Sequence, residues 1–413
     1  MNVLVITRNA WDDTNSIGNT MSNFFGELEN VNTANIYFRS SKPNNRVCKK
    51  YFHVTEQQLI RNLFSPEKCG SAFEYEYSEN KTGGYSNEKK LISVIHRFGL
   101  KGAYALSENL WNQKKWLNKK LDAFVEEFAP DVVFSFAKSL PQYYHILKYL
   151  HDQHKLKIAL WIADDEYTAL SQSQKKSDHE KIERLRELLC MSDKVWGCSR
   201  EMCEFYNSVF GCNAEPLYKS CSFDYPVRKT VNDPVRILYA GNLLFGRLEA
   251  LKKLISGLKQ LNAGGVRARL EIYSSTPLSE QEQSTLSIPG IVSFNGVKPY
   301  EEIKRLMSQS DLVLHIESFE EREIKKTKYS FSTKIIDCLQ SGSVMLAIGS
   351  PQLASVRYTK DIPGAYVIDS EEDIISGISS VINDSGSFPG RAAQIRSFAE
   401  KNHSKNDGWL LLG

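Results

Sequence analysis

The chain has 413 residues, 41% of them hydrophobic and 24% charged, which is the composition of a folded globular protein of two or three domains at roughly 150 residues each. No run approaches the ~18 apolar residues of a membrane-spanning helix, and the start MNVLVITRNAWDD lacks the basic opening and small-residue cleavage site of a signal peptide, so a cytoplasmic location is expected. A formal net charge of +3 argues against nucleic acid as a partner, and eight cysteines without a Cys-x-x-Cys pair indicate neither a zinc site nor a disulfide framework but reduced, mostly buried thiols.

Read from the N-terminus, short apolar runs rich in β-branched and aromatic residues occur at 2–7, 34–38, 131–136, 157–163 and 193–199, with helical patterns between several of them. Buried parallel strands have this signature. Residues 65–87 are polar, contain glycine and are weakly periodic, which predicts a long loop or an insertion without regular structure. Between 89 and 120, eight Lys/Arg residues stand against a single acid, Glu108. Ala103, Leu106, Leu110, Leu117, Leu121 and Phe124 approximate one helical face there, with Lys114, Lys115, Lys119 and Lys120 largely off it. Two readings stay open: a core-packed helix with a solvated basic face, or an amphipathic helix lying on an anionic membrane. His145, His151 and His154 lie in YYHILKYLHDQH without a third ligand at metal-site spacing; they read as exposed helix histidines, and no metal is predicted.

The stretch 223–234, FDYPVRKTVNDP, carries two prolines, mixed charge and no periodicity, and reads as a linker. Beyond it, runs at 235–241, 268–275, 291–297, 311–318, 344–350 and 365–369 alternate with helical patterns such as 248–261 and 300–310. This order predicts two Rossmann-like α/β domains, 1–222 and 235–390, followed by a C-terminal helix and tail over 391–413 whose return to the first domain is open.

The chemistry concentrates in the second half. In YSFSTKIIDCLQSG, Ser330, Ser332 and Thr333 stand where a loop would become a helix, and Ile335, Ile336 and Leu339 then recur at helical spacing. Hydroxyls at that point would cap the helix, and its free N–H groups would favour an anion by ~0.3–2 kcal/mol. An ordinary capped helix leading into the buried run 344–347 has the same sequence. After VRILYAG, Gly241 and Gly246 permit a tight turn and Arg247 opens the next helix; its guanidinium either holds a diphosphate bidentately or sits on the surface of a βα loop. Open α/β sheets bind ligands at the carboxyl ends of their strands, so Arg247 and residues 330–334 are expected to converge.

From Val235 to about Gly349 these motifs resemble those of the GT-B glycosyltransferases, in particular the large retaining family that uses nucleotide-diphosphate sugars. The resemblance rests on the strand–Gly–loop–basic opening, on IVSFNGVKPYEEIKRLMSQSDLVLHIES and on YSFSTKIIDCLQSGSVMLA. It implies a GT-B architecture, two Rossmann-like domains facing each other across a cleft, with a nucleotide-diphosphate sugar as donor substrate and no required cofactor or metal. It further implies that the backbone of Gly296, Val297 and Lys298 receives the nucleotide base. Gly241, Tyr329, Ser330, Phe331, Ser332, Thr333 and Lys334 would line the donor site, and Asp337 would bind ribose hydroxyls. The family's paired glutamates fall on Tyr329 and Asp337, so a sugar-binding carboxylate is missing at the first, where Glu317 or Glu320 is a candidate substitute. Its basic pair falls on Asn242 and Arg247.

In the first half the resemblance is carried by SDKVWGCSREMCEFY, the approach to the linker, and by loop 15–20, where Gly18 alone remains of a glycine-rich loop near the donor phosphates; a capped helix start is the other reading. Asp164, Asp165 and Glu166 follow KIALWIA where the family places a residue facing the acceptor. An acid there can orient or deprotonate a hydroxyl, and soluble loop acids have the same sequence. The resemblance thus implies a hexosyl-type glycosyltransferase that acts with retention on a hydroxyl of a glycan or lipid-linked glycan. Arg247 and the N–H groups of 332–334 would stabilise the departing diphosphate, and 89–120 would supply any peripheral membrane contact. A sugar-nucleotide epimerase and a nucleotide-sugar-binding protein without turnover are the alternatives.

Overall fold

A computed structural model of the chain describes residues 1–26, 28–78 and 101–404, with the backbone alone at 101–106. The described residues divide into two compact units, one from Met1 to Leu217 and one over 218–404.

In unit one, β1 (Asn2–Thr7), β2 (Asn32–Tyr37), β3 (Lys50–His53), β4 (Ser71–Glu74), β5 (Val132–Phe136), β6 (Lys157–Ile162), β7 (Lys194–Gly197) and β8 (Glu215–Pro216) form an eight-stranded sheet in the order β4-β3-β2-β1-β5-β6-β7-β8. All described pairings are parallel except that of β3 with β4. Val3 to Ile6, an unbroken apolar run, and all of β5, apolar but for Ser135, are buried because helices cover both faces of a parallel sheet. The sequence reading of 65–87 is corrected: a 3-10 turn at Pro66–Lys68 and edge strand β4 lie within it, and 79–87 lie outside the described residues.

Among the described residues the basic stretch forms two helices, Lys101–Asn112 and Lys119–Phe128, not one. Lys114 has left-handed backbone (φ 60°) and the Asn118 side chain caps the second helix, so the chain must turn between them. Trp111 and Trp116 meet edge-on at 5.3 Å in the core while Lys114, Lys115, Lys119 and Lys120 stay exposed, as in a core-packed helix with a solvated face. Residues 89–100 lie outside the described residues. The reading of exposed histidines is also corrected, because His145 is buried with Nε2 3.0 Å from Asn112 Oδ1 and His154 is held by Asp122 at 3.1 Å. Six of the eight cysteines are buried; Cys190 is exposed and Cys212 half-buried.

Unit two carries a six-stranded parallel sheet of β9 (Val235–Ala240), β10 (Ala268–Tyr273), β11 (Val292–Phe294), β12 (Leu312–Ile316), β13 (Val344–Ile348) and β14 (Tyr366–Ile368), ordered β11-β10-β9-β12-β13-β14. This is the Rossmann order. Residues 218–234 pack onto this unit rather than bridging freely. Buried Asp311 accepts from Arg228 Nη2 (3.0 Å), Asn232 Nδ2 (2.9 Å) and Arg236 N (2.8 Å), which explains why an aperiodic stretch is held in place. Helix Phe388–Asn402 also belongs to unit two, burying Phe388, Ala392, Ile395 and Ala399; residues 405–413 lie outside the described residues. In each sheet the order reverses beside the first strand, at β1/β5 and at β9/β12, and open α/β sheets leave a ligand crevice at such a point. Among the described residues no helix is long and apolar enough to cross a membrane.

Candidate functional site

The switch point of unit two holds most of the residues that the sequence singled out. Gly246 closes the loop after β9 in the left-handed region (φ 74°), and a Cβ there would lie 2.1 Å from Ser318 Oγ, so glycine is required twice over. Arg247 then opens helix Arg247–Leu261. Its guanidinium is turned to the end of β12: Nε donates to Ile316 O (3.2 Å) and Glu317 Oε2 (3.1 Å), Nη2 to Glu317 Oε1 (3.0 Å), and Nη1 to Asn242 Oδ1 (2.6 Å). The two side chains keep only 11% and 5% of their exposure. Burial raises the Glu317 pKa, opposed by Arg247 and Lys334.

Glu317, a candidate for the missing sugar carboxylate, is therefore committed to Arg247, whereas Glu320 is exposed at the start of helix Glu321–Thr327. His315 sits two residues before Glu317 on the same face of β12, with Nε2 3.6 Å from Glu317 Oε1 and no hydrogen-bond partner among the described residues. Burial, then Arg247 and Lys334, push its pKa down to about 3, which keeps the imidazole neutral.

The 329–337 segment also reaches this end of the sheet. Helix Lys334–Gln340 has seven residues, and the capping expectation is corrected: Thr333 has helical dihedrals (φ −59°, ψ −17°), which leave its hydroxyl unable to cap. The loop is held by Ser355 instead, whose Oγ accepts from Ser332 N (3.0 Å) and donates to Ser330 O (3.1 Å). Phe331 packs in the unit's interior against Tyr218 (4.7 Å) and Tyr358 (5.0 Å). Tyr329 is half-buried with Lys328 Nζ 5.1 Å from its ring centre. Lys334 reaches Gly241: a Cβ on that glycine would lie 2.0 Å from Nζ. Burial pushes the Lys334 pKa down to about 8, reinforced by Arg247 and opposed by Glu317, Asp337 and Cys338. Gly241, Arg247 and Lys334 thus lie together at this end of the sheet.

Asp337 is anchored through one oxygen. Its Oδ1 accepts from Tyr300 Oη (2.6 Å) and Gln340 Nε2 (3.5 Å), and Oδ2 has no partner among the described residues. Tyr300, which sequence reasoning missed, opens helix Tyr300–Gln309 directly after the loop of Gly296 (φ 66°), Val297 and Lys298. It ties that loop to Asp337. Val297 is 71% exposed, Lys298 Nζ pairs with Glu302 Oε1 at 3.0 Å, and Ser274 N fixes Gly296 O at 2.9 Å. Such a loop offers backbone groups and an apolar surface to a flat ligand.

In unit one the acids after β6 are paired with their surroundings. Lys138 Nζ lies 3.1 Å from Asp164 Oδ2 and 3.2 Å from Glu166 Oε1, and Ser139 donates N and Oγ to Glu166 Oε2. Burial opposes the Lys138 charge, but Glu166 and Asp164 more than offset this and raise its pKa. Asp165 Oδ1 accepts from Thr168 N (3.1 Å) and Tyr206 Oη (3.3 Å), a turn-forming role. Asp164, 71% exposed, is the acid of the three that remains open to a ligand. Gly18 lies in helix Ser16–Phe25, capped by Asn15, and a Cβ on it would meet Asp12 O at 2.0 Å, which gives the glycine a packing reason. Asp13 beside it was not singled out by sequence; its Oδ1 accepts from Ser22 Oγ (2.6 Å), and burial, with Asp12 adding, raises its pKa to about 6 against the Ser22 and Trp11 hydrogen bonds. Among the described residues no group of His, Cys, Asp and Glu is placed to hold a metal ion.

No family model matches the chain, and no curated protein sequence matches it. Solved structures do match over nearly the whole length. Sucrose-phosphate synthase from Thermosynechococcus elongatus superposes with a TM-score of 0.60 at 11% identity, covering 100% of this chain and 96% of that one. WaaG, a glycosyltransferase involved in lipopolysaccharide biosynthesis, gives 0.57 at 12% identity over 99% and 98%. HepE from Anabaena, solved in complex with UDP and glucose, gives 0.61 at 10% identity over 98% and 96%. At these identities the likeness is one of fold, and the chain has the GT-B architecture of two Rossmann-like units that these structures share.

Proposed function

We propose that this chain is a glycosyltransferase that binds a nucleotide-diphosphate sugar at the β9/β12 switch point of unit two and transfers the sugar to a hydroxyl of a glycan or lipid-linked glycan. The observation that carries this reading is the convergence of three separate segments there: Gly241 to Arg247, Val297 to Tyr300, and Ser330 to Asp337. The base would lie on the Val297 loop, ribose hydroxyls would donate to the open Oδ2 of Asp337, and the diphosphate would face the Lys334 ammonium, with the Arg247–Glu317 pair holding the loop beside it. HepE, whose structure holds UDP and glucose, supports a nucleotide sugar as donor.

In the reaction the acceptor oxygen bonds to the anomeric carbon while the bond to the diphosphate breaks, its electron pair leaving on the phosphate oxygen. Fixed cations around that oxygen stabilise the charge as it develops. The proton of the acceptor hydroxyl passes to the leaving phosphate, in keeping with retention. Unit one carries the acceptor side, with Asp164 open to orient a hydroxyl. If the acceptor is lipid-linked, the exposed Lys114, Lys115, Lys119 and Lys120 would favour an anionic membrane face.

One observation favours a second reading. Tyr329 stands where the sugar-binding glutamate is expected and Glu317 is tied to Arg247, which suits a protein that binds nucleotide sugar without turnover. The test is a panel of nucleotide sugars screened for thermal stabilisation, followed by assay of hydrolysis and transfer with the best binder. A ligand at a hundred times its Kd should add about 2.7 kcal/mol of stability. Stabilisation with turnover supports the transferase, stabilisation alone the binding protein, and no stabilisation by any nucleotide sugar rejects both.

A further inference from the structure

Resting on the donor-site reading above, we infer that Lys334 is the cation that meets the diphosphate in this chain, replacing the arginine that the resemblance places at position 242, and that Arg247 is a positioning residue.

Arg247 is already fully engaged by the protein. Its Nε, Nη1 and Nη2 all donate to protein acceptors, and its charge is cancelled at 2.9 Å by a carboxylate as buried as itself. Asn242 brings no charge of its own; its Oδ1 is taken by Arg247 Nη1 (2.6 Å) and Leu244 N (3.2 Å). His315 is neutral. With Arg247 paired to Glu317 and His315 neutral, the ammonium of Lys334 is the cation at the ends of β9 and β12 that no carboxylate meets at ion-pair distance among the described residues.

That ammonium has no hydrogen bond or ion pair among the described residues, although the side chain is half-buried and lies with Nζ 5.8 Å from the Tyr239 ring centre. The charged groups that bear on it are Arg247, Glu317, Asp337 and the Cys338 thiol, and none lies within ion-pair distance. Keeping a cation out of water without a partner is costly, so a site that retains one is built for an anion that arrives from outside.

Gly241 gives independent support. Its backbone is not in the left-handed region, so no turn requires glycine there; the reason for glycine is room, since a Cβ would stand 2.0 Å from Lys334 Nζ. A loop that gives up its side chain to let a lysine reach the carboxyl end of β9 places that lysine where the ligand crevice of an α/β sheet opens. The guanidinium, locked by Glu317 and Asn242, then fixes the loop over which the ammonium lies.

Isothermal titration calorimetry with the best-binding nucleoside diphosphate, run from pH 7 to pH 9, tests this. Lys334→Met should weaken binding about tenfold to a hundredfold, the worth of a charged hydrogen bond to phosphate. Gly241→Ala should weaken it in the same direction with an unchanged ligand-free melting temperature, because the added methyl displaces only the end of a flexible side chain. Affinity of the unmodified protein should fall as pH rises through about 8, where the ammonium loses its proton, and Lys334→Arg should flatten that profile. A folded Lys334→Met protein with unmodified affinity and pH profile overturns the assignment while leaving the donor site in place. Failure of the unmodified protein to bind any nucleoside diphosphate removes the donor site itself, and this inference with it.

Discussion

The carboxyl ends of the two sheets handle charge in opposite ways. In unit one, Lys138 lies between Asp164 and Glu166 at about the same distance from each, one cation against two carboxylates, and water at the exposed Asp164 screens the charge that is left. In unit two, Arg247 and Glu317 neutralise each other inside the protein and Lys334 is left over. Solvent screening makes the first arrangement cheap to alter, whereas the second cannot lose a member without leaving a buried charge unpaired. A charge cluster at a strand end is therefore informative about ligands only after its internal pairs have been subtracted.

The largest effect should come from breaking the buried pair. The sequence alone suggests that Arg247→Ala would cost turnover far more than stability, but the bidentate contact with Glu317 redirects that expectation. Arg247→Ala should destabilise unit two by about 3–5 kcal/mol in urea unfolding, and a second change, Glu317→Leu, should recover much of the loss. A single variant as stable as the unmodified protein would mean that the pair is not what holds the loop.

Next is Asp337→Asn. Asn can still accept from Tyr300 through Oδ1, so the ligand-free melting temperature should move little, while nucleoside-diphosphate affinity falls roughly tenfold because an amide accepts ribose hydroxyls less strongly than a carboxylate. A large melting shift with normal affinity would make the Tyr300 contact purely structural.

Asp13 contributes through pH. Its pKa is raised to about 6 in the folded protein from 3.8, so between those values the folded state binds more protons and stability falls as pH rises. Asp13→Asn should remove that slope between pH 4 and 6 and leave the slope above pH 7 untouched, which unfolding curves at several pH values would show. The smallest effect belongs to Asp164→Asn in unit one, expected within about 1 kcal/mol of the unmodified protein and smaller still in high salt.

The strands at the centre of both sheets were legible because they carry unbroken apolar runs, as in Val344–Ile348 or residues 3–6 of β1, and only a parallel sheet covered on both faces needs such runs. Strands β3 and β4 were not, since Lys50–His53 is short and Ser71–Glu74 is a mostly exposed edge whose pairing compensates for weak patterning. At the site, Gly241 and Arg247 could be read from local turn and helix signals, and Lys334 and Asp337 from the family resemblance. Their partners could not. Arg247 meets a carboxylate 70 residues away and Tyr300 meets Asp337 across 37, and nothing local in the sequence announces a contact that only the strand order creates.

In the proposed function one ligand engages three segments of unit two at once. Hydrogen exchange measured by mass spectrometry with and without a saturating nucleoside diphosphate tests it directly. Protection is expected in 241–247, 296–300 and 330–337 together, with the β2 and β3 strands of unit one unchanged. Protection absent from these segments, or confined to unit one, would contradict the account.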